Sequence, residues 1–294
     1  MHFQEHIIQC KRQKRYLDDY LAKNILTQSE YEQIASNMSK GIKFFNPSFK
    51  GTQEEALRWI VDNQLSPSPL GRAAFAEKAL ANAVKIGAKQ YLIFAAGYDT
   101  FAYRQPDWAS KIQIFELDHV LMSSDKQKRI QSVATEISSN LHYVSVDFTE
   151  NGWKGKLLTC SAFNQRNISF CSLLGISYYL SKQVFTHTIS IISSVVPKGS
   201  SIIFDYPDED TYTQKAGERA KRQVAMAGLA NEKMLASYSY LEMEKLLGDS
   251  NFLIYEHLTP EQITEQYFKT YNQLNSEHPI TAFDNVNYCL AVKQ

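Results

Sequence analysis

The chain has 294 residues, of which 44% are hydrophobic and 21% charged, with 31 basic and 31 acidic side chains. This composition is typical of a globular protein with a substantial core. The zero net charge excludes a protein whose main partner is DNA or an anionic membrane, and no apolar run approaches the ~18 residues of a membrane span. We therefore expect neither a nucleic-acid partner nor a membrane partner.

The N-terminus has no apolar core followed by a cleavage site, so it is not predicted to be a secretory signal. Its basic cluster KRQKR (11–15) leads into a helical pattern, which favours a solvated helix face over a sorting or nucleic-acid signal. The four cysteines lie far apart and form no CxxC pair, which indicates reduced thiols in a cytoplasmic protein. The histidines show no metal-binding spacing such as HExxH, so no metal site is predicted.

The first 90 residues are predicted to form a helical cap. Thr27 with Glu30 and Thr52 with Glu55 have the spacing of capping boxes, in which the hydroxyl and the carboxylate bind free N–H groups of a first helical turn. The segment SPSP (66–69) precedes a further apolar pattern, which predicts a helix over about residues 72–86.

Beyond residue 90, short β-rich runs alternate with helical patterns. Continuous apolar strands separated by helices indicate a parallel sheet covered on both faces. The runs are YLIFAAG (91–97), KIQIFELD (111–118), LHYVSVDF (141–148), ISFCSLLG (168–175) and SSIIFDY (200–206). We assign residues 91–206 to the core of one domain that spans residues 1–294.

The remaining chain is divided into an insertion and a C-terminal unit. Residues 207–250 are predicted to form a helical lid, because so much material after a sheet strand is more often a substrate wall than a connector. The lid side chains suit a small anionic, partly apolar substrate, and they are Tyr212, Arg219, Arg222, Met226 and Met234. Residues 251–294 read as strand, helix and strand, with the helix opening at Thr259-Pro260.

The carboxyl ends of the first three predicted strands have residues suited to a nucleoside. Ligands of open parallel sheets bind at this edge, where the strand order reverses. Small residues from Ala95 to Gly97 let the backbone approach a ligand, and Asp118 follows Gly97 by 21 positions, the spacing of a ribose-binding carboxylate. Asp147 offers an acceptor for an adenine amino group, and Phe148 offers a ring on which adenine can stack.

The loop after the first strand favours S-adenosylmethionine over NAD or ATP. It lacks the G-x-G-x-x-G pattern that brings a helix N-terminus to a pyrophosphate, and Asp99 places negative charge where phosphates would lie. The sulfonium of S-adenosylmethionine is a cation, which carboxylates and aromatic faces stabilise.

The text GRAAF…YLIFAAGYDTFAYR…FELDH…SVDF…LLGISYYL resembles the leucine carboxyl methyltransferase family, in its bacterial branch grouped with polyketide-type O-methyltransferases. The resemblance implies a Rossmann-like α/β fold: a seven-stranded, mostly parallel sheet with an antiparallel last strand, N-terminal helices and a lid. It also implies S-adenosyl-L-methionine as cofactor and cofactor-binding roles for Arg72, Ala95, Gly97, Asp118, Asp147 and Phe148. Arg72 would bind the methionine carboxylate.

Two positions depart from the family pattern. Ala95 replaces the first glycine of the family's GAG, and we expect the methyl group to be tolerated if its φ is negative. Leu174 replaces the acidic residue of the family's EGV, which puts in doubt a carboxylate at the fourth strand end. Arg104 is predicted to brace the loop by pairing with Asp99.

The reaction implied is methyl transfer to an oxygen of a small molecule. A carboxylate acceptor is already ionised at pH 7 and needs no general base, whereas a hydroxyl needs one. The sequence singles out no catalytic residue; Tyr178, Tyr206 and His187 are the open candidates for such a base. A hydrolase is disfavoured because the G-x-S-x-G elbow is absent. A nucleoside-binding regulator without catalysis remains the alternative, and the oligomeric state is left open.

Overall fold

The computed structural model describes residues 19–133, 136–148, 150, 152–229 and 233–294. The basic cluster at 11–15 and Cys10 lie outside these residues. Within them, no helix is both long and apolar enough to cross a bilayer, and the cysteines are free thiols.

The N-terminal region is helical, as predicted. Both predicted capping boxes form, at Thr27 with Glu30 and at Thr52 with Glu55. The last helix begins at Pro67, five residues before the predicted start, because proline at the first helical position costs no hydrogen bond. The helices are α1 (Ala22–Ile25), α2 (Gln28–Lys40), α3 (Ile42–Phe45), α4 (Gln53–Ile60) and α5 (Pro67–Lys85), with a π-helical turn at Val61–Leu65 between the last two.

Seven strands form one sheet in the order β3-β2-β1-β4-β5-β7-β6. The first five are mutually parallel, and β7 pairs antiparallel with both of its neighbours. The seven predicted strands and the antiparallel last strand are therefore confirmed. Their bounds are β1 (Gln90–Phe94), β2 (Gln113–Asp118), β3 (Leu141–Ser145), β4 (Ser169–Leu173), β5 (Ser201–Pro207), β6 (Phe252–Leu258) and β7 (Val286–Lys293).

Helices cover both faces of the sheet, which explains why β1 and β4 are buried along their whole length. Short 3-10 turns lie at Phe101–Tyr103 and Asp107–Lys111, and a π-helical turn lies at Thr264–Phe268. The helices after β1 are α6 (Val120–Gln131), α7 (Trp153–Leu158), α8 (Lys182–Val195), α9 (Glu218–Leu229), α10 (Tyr240–Asp249), α11 (Pro260–Ile263) and α12 (Lys269–Leu274).

Two apolar clusters pack against the sheet, one on each face. One contains Phe75 of α5 with Tyr91 and Ile203 of the sheet. The other contains Phe185 of α8 with Phe204 of β5. Because the chain leaves β3 at one edge and returns to pair β4 with β1, the strand order reverses between β1 and β4. A ligand site is expected outside the carboxyl ends of these two strands.

The insertion between β5 and β6 divides into two parts. Helix α9 packs on α3, and Met226 of α9 contacts the small N-terminal cluster that includes Phe45 and Ile60. Helix α10 instead packs on β6 and buries Met243 and Leu247 in the sheet's own core. The part that contains α9 therefore lies over the N-terminal helices, and its role as a lid stays a prediction.

Candidate active site

A pocket lies where the strand order reverses. Its walls come from α5, from the ends of β1 and β4, from the loop after β1 and from the N-terminal segment 19–25. Its polar and charged lining consists of Asp19, Arg72, Glu77, Tyr91, Tyr98, Asp99, Thr100, Arg104 and Ser172. Two of the predicted cofactor residues, Arg72 and Ala95, line this pocket directly, and so does Leu174.

Two of the predicted cofactor-binding residues, Gly97 and Asp118, join the carboxyl ends of β1 and β2. The backbone N–H of Gly97 donates to Oδ2 of Asp118 at 2.6 Å, and the N–H of His119 donates to Oδ1 at 2.6 Å. These bonds fix the carboxylate at the strand end, where it remains partly exposed. Each carboxylate oxygen keeps a lone pair, so the group can still accept ribose hydroxyls.

The backbone conformation of Ala95 differs from the one that the sequence analysis required for an alanine at this position. Its φ is +50°, so the condition of a negative φ is not met. The left-handed region brings Cβ close to the following carbonyl and costs a non-glycine residue roughly 1–2 kcal/mol. The N–H of Ala95 still donates to the carbonyl of Leu117 at 2.8 Å, which holds the turn in this conformation.

Asp147 and Phe148 follow β3 at the same edge of the sheet, and both are partly buried. The ring of Phe148 contacts those of Phe94 and Trp153, with centroids 5.8 and 5.7 Å apart. One side of this ring is thus anchored in the core. Neither residue lines the pocket at β1 and β4, so their predicted adenine role stays a prediction.

Arg72 is held by a buried cluster that includes a residue not identified from the sequence. Its Nε donates to Oδ2 of Asp205 at 2.7 Å, and its Nη2 donates to the hydroxyl of Tyr178 at 2.8 Å. The Tyr178 hydroxyl donates in turn to the same carboxylate, as does the N–H of Gly175 at 2.7 Å. The sequence feature that could have pointed to Asp205 is its position as a charged residue within the otherwise uncharged run IIFDY (202–206).

The protonation states of this cluster follow from its burial. Burial raises the pKa of Tyr178 well above its ordinary value, against the opposing effect of the Arg72 charge. The phenol therefore stays protonated at neutral pH and acts as a donor. Burial acts to lower the pKa of Arg72, but Asp205 and nearby phenols together raise it above the ordinary value, so the guanidinium remains charged.

Arg104 does not make its predicted pair with Asp99. Its Nη2 donates to Glu77 of α5, and its Nε lies 3.6 Å from Asp19. Asp99 instead accepts the N–H of Phe101 at 2.7 Å, closing a local turn. Arg104 thus ties the loop after β1 to α5 and to the N-terminal segment that forms one wall of the pocket.

The three candidates for a general base that the sequence left open are poorly placed to accept a proton from a substrate in this pocket. Tyr178 is committed to Arg72 and Asp205. Tyr206 belongs to the apolar cluster on the opposite face of the sheet, where its hydroxyl lies 2.7 Å from Nε2 of His257. His187 is exposed on α8.

The arginines of α9 bind protein groups. The Nη2 of Arg219 lies 2.6 Å from Asp284, and its Nη1 donates to the carbonyl of Asn63 at 3.3 Å. Arg222 donates to the carbonyl of Phe45. The predicted contribution of these arginines to an anionic substrate is therefore not supported in this conformation; they dock α9 on the rest of the domain.

Comparisons with known proteins identify the family of this chain. The family model of leucine carboxyl methyltransferase matches residues 3–193. YktD of Bacillus subtilis (strain 168), whose name assigns it provisionally to the S-adenosyl-L-methionine-dependent methyltransferases, is 38% identical over 282 residues, 94% of this chain and 90% of that protein. A similarly named protein of Mycobacteroides abscessus is 26% identical over 149 residues, about half of each chain (49% and 48%).

Solved structures share the fold at low identity. A DUF574 family protein from Streptomyces avermitilis superposes with a TM-score of 0.58 at 12% identity, covering 89% of this chain and all of that one. A methyltransferase candidate from Thermobifida fusca superposes with a TM-score of 0.53 at 14% identity, covering 87% and 94%. The chain belongs to the leucine carboxyl methyltransferase family and is an S-adenosyl-L-methionine-dependent methyltransferase.

Proposed function

We propose that this methyltransferase acts on an oxygen atom of a small molecule and that the oxygen belongs to a carboxylate. S-adenosyl-L-methionine supplies an electrophilic methyl group on its sulfonium when it is bound. The residues of this chain bind the two partners, align them and exclude water, which are the contributions that such a transfer requires.

The residues at the strand ends fit the cofactor. Three carboxylates line the pocket; Asp19 and Glu77 pair with Arg104, and the charge of Asp99 is the one that favours a cation over phosphate. We assign the ribose to Asp118, the methionyl carboxylate to Arg72, and the close backbone approach to Gly97 and Ala95. Asp147 and Phe148 are assigned to the adenine, and their position after β3 at the same sheet edge supports this.

Among the described residues, the pocket lining supports the choice of a carboxylate, because most of its groups are unsuited to accept a proton. The described residues that line the pocket include no histidine, lysine or cysteine. Burial, with a smaller contribution from Asp99, raises the pKa of Tyr91 well above its ordinary value. The carboxylates of Asp19 and Glu77 are both bound to Arg104. An acceptor that is already ionised needs none of these groups as a base.

The resemblance to polyketide-type O-methyltransferases supports a polyketide-like acid as the acceptor class. The segment that contains α9 would lie over such an acceptor, with Tyr212 and Met234 providing apolar contact. Met234 packs partly buried against the same apolar cluster as Tyr91, a residue of the pocket lining.

The acceptor class can be tested with methyl-labelled cofactor and pairs of compounds that differ only in a carboxylic acid or the matching primary alcohol. We expect label transfer to acids, as an ester that releases labelled methanol in alkali. Transfer to the alcohols alone, in alkali-stable form, would contradict the carboxylate assignment. No transfer to any oxygen acceptor, with transfer to amines or thiols, would contradict O-methylation.

A further inference from the structure

The carboxylate of Asp205 is the centre of a buried polar cluster at the carboxyl end of β5. The residue is fully buried. Its Oδ2 accepts Nε of Arg72 at 2.7 Å and the hydroxyl of Tyr178, and Nη2 of Arg72 lies 2.5 Å away. Its Oδ1 accepts the N–H of Gly175 at 2.7 Å. Both oxygens are therefore occupied by groups of the protein itself.

These bonds fix one edge of the Arg72 guanidinium. Asp205 and Tyr178 engage Nε and Nη2, so the orientation of the planar group is set in two directions. The third nitrogen, Nη1, lies over the backbone of Gly175, and a Cβ built there would be only 2.8 Å from it. Gly175 also has a φ of +73°, so glycine is required at this position for two independent reasons.

The position of Nη1 is beside the pocket. Gly175 follows Leu174, which lines the pocket, and Arg72 lines it from α5. Buried ion pairs contribute little net stability compared with well-packed apolar groups. A carboxylate held by three hydrogen bonds and an ion pair is therefore better explained by the orientation that it imposes on Arg72 than by stability alone.

We propose that Asp205 is a positioning residue for the cofactor: with Tyr178 and Gly175 it holds Arg72 so that Nη1 binds the methionyl carboxylate. This inference rests on the proposed assignment of Arg72 to that carboxylate. Asp205 itself has no direct contact with the ligand. The segment GISY (175–178) then has a physical role, since Gly175 makes room for Nη1 and Tyr178 closes the cluster.

The test compares two ligands that share the nucleoside and differ in the amino-acid part. S-adenosylhomocysteine carries the carboxylate, whereas 5′-methylthioadenosine lacks it. In Asp205→Asn, we expect the Kd of S-adenosylhomocysteine to rise at least tenfold while that of methylthioadenosine changes less than twofold, as measured by calorimetry on the folded variant. Tyr178→Phe, which keeps the ion pair, should give the same pattern with a smaller change.

Asp118→Asn is the matched control, because it should weaken both ligands together through their common ribose. Equal losses of both ligands in Asp205→Asn and in Tyr178→Phe would show a purely structural role and overturn the inference. An unchanged preference for S-adenosylhomocysteine in both variants would also overturn it. If the unsubstituted protein bound neither nucleoside, the proposed cofactor assignments would fail independently of Asp205.

Discussion

The carboxyl ends of β2 and β5 contain the same type of hydrogen bond, but the two aspartates that accept it have different roles. In each case an aspartate at a strand end accepts the N–H of a glycine on the neighbouring strand's exit loop, at 2.6 Å for Asp118 with Gly97 and 2.7 Å for Asp205 with Gly175. Both glycines have positive φ, +49° and +73°. Asp118 remains partly exposed, whereas Asp205 is fully buried beneath Arg72.

The difference shows how the neighbouring helix determines the role of a shared backbone motif. No basic side chain is paired with Asp118 among the described ion pairs, so its charge is available to a ligand. Arg72 of α5 neutralises Asp205, so that carboxylate serves the arginine. We therefore expect substitutions at β5 to affect both stability and binding, and substitutions at β2 to affect mainly binding.

Arg72→Ala should have the largest effect, because it leaves the buried carboxylate of Asp205 without a counter-charge. Breaking a buried ion pair by removing one partner typically costs about 3–5 kcal/mol. We expect a decrease of this size in the free energy of unfolding, measured by urea titration. The double variant Arg72→Met with Asp205→Asn should recover much of the loss, and a double variant as unstable as the single one would contradict this explanation.

Asp118→Ala, at the carboxyl end of β2, should weaken cofactor binding more than it lowers the stability of the protein. Losing charge-assisted hydrogen bonds to the ribose should weaken S-adenosylhomocysteine binding by about 1.5–3 kcal/mol. The free energy of unfolding should change by less than the binding energy, because this carboxylate is partly exposed. Asp107→Ala, on an exposed position, should leave both quantities unchanged; normal binding by the Asp118 variant would place the ribose elsewhere.

Arg219→Ala tests whether α9 acts as a lid. The variant removes the ion pair with Asp284 that docks this helix, so we expect turnover to fall about tenfold while cofactor affinity is retained. Lys221→Ala removes only an exposed pair with Glu218 on the same helix and is the control. If Arg219→Ala turned over as fast as the unsubstituted protein, docking of α9 would not be needed for the reaction.

Ala95→Gly should have the smallest effect, and it should stabilise the protein. Relief of the left-handed conformation gains roughly 1–2 kcal/mol, and the extra backbone freedom of glycine in the unfolded chain offsets roughly 0.5–1 kcal/mol of it. We expect a net gain of about 0.5–1 kcal/mol in the urea titration. Ala96→Gly is the control, since Ala96 lacks a positive φ and its substitution should destabilise.

The features that could be predicted from the sequence depend on short spacings. Capping boxes span three residues, strands show as short apolar runs, and Gly97 with Asp118 is a pair only 21 positions apart. Arg72 and Asp205 are 133 positions apart, and no local pattern indicates their contact. The partners of Arg104 were missed because no spacing rule connects this arginine with Glu77 of α5 or with Asp19 of the N-terminal segment.

The backbone of Ala95 could not be predicted either, because alanine ordinarily avoids positive φ. The hydrogen bond from its N–H to Leu117 belongs to the β1–β2 pairing, so the conformation is imposed by tertiary structure and not by the residue. The family's glycine at this position was the available signal, since glycine often marks a left-handed backbone.

A crystal structure with S-adenosylhomocysteine tests the central assignment most directly. We expect the ribose hydroxyls about 2.5–2.7 Å from the carboxylate of Asp118, and the amino-acid carboxylate about 2.7–2.9 Å from Nη1 of Arg72, the distances of charge-assisted hydrogen bonds. The bond between Gly97 and Asp118 should be retained. A nucleoside bound away from the ends of β1 and β2, or a carboxylate that avoids Arg72, would contradict the proposed site.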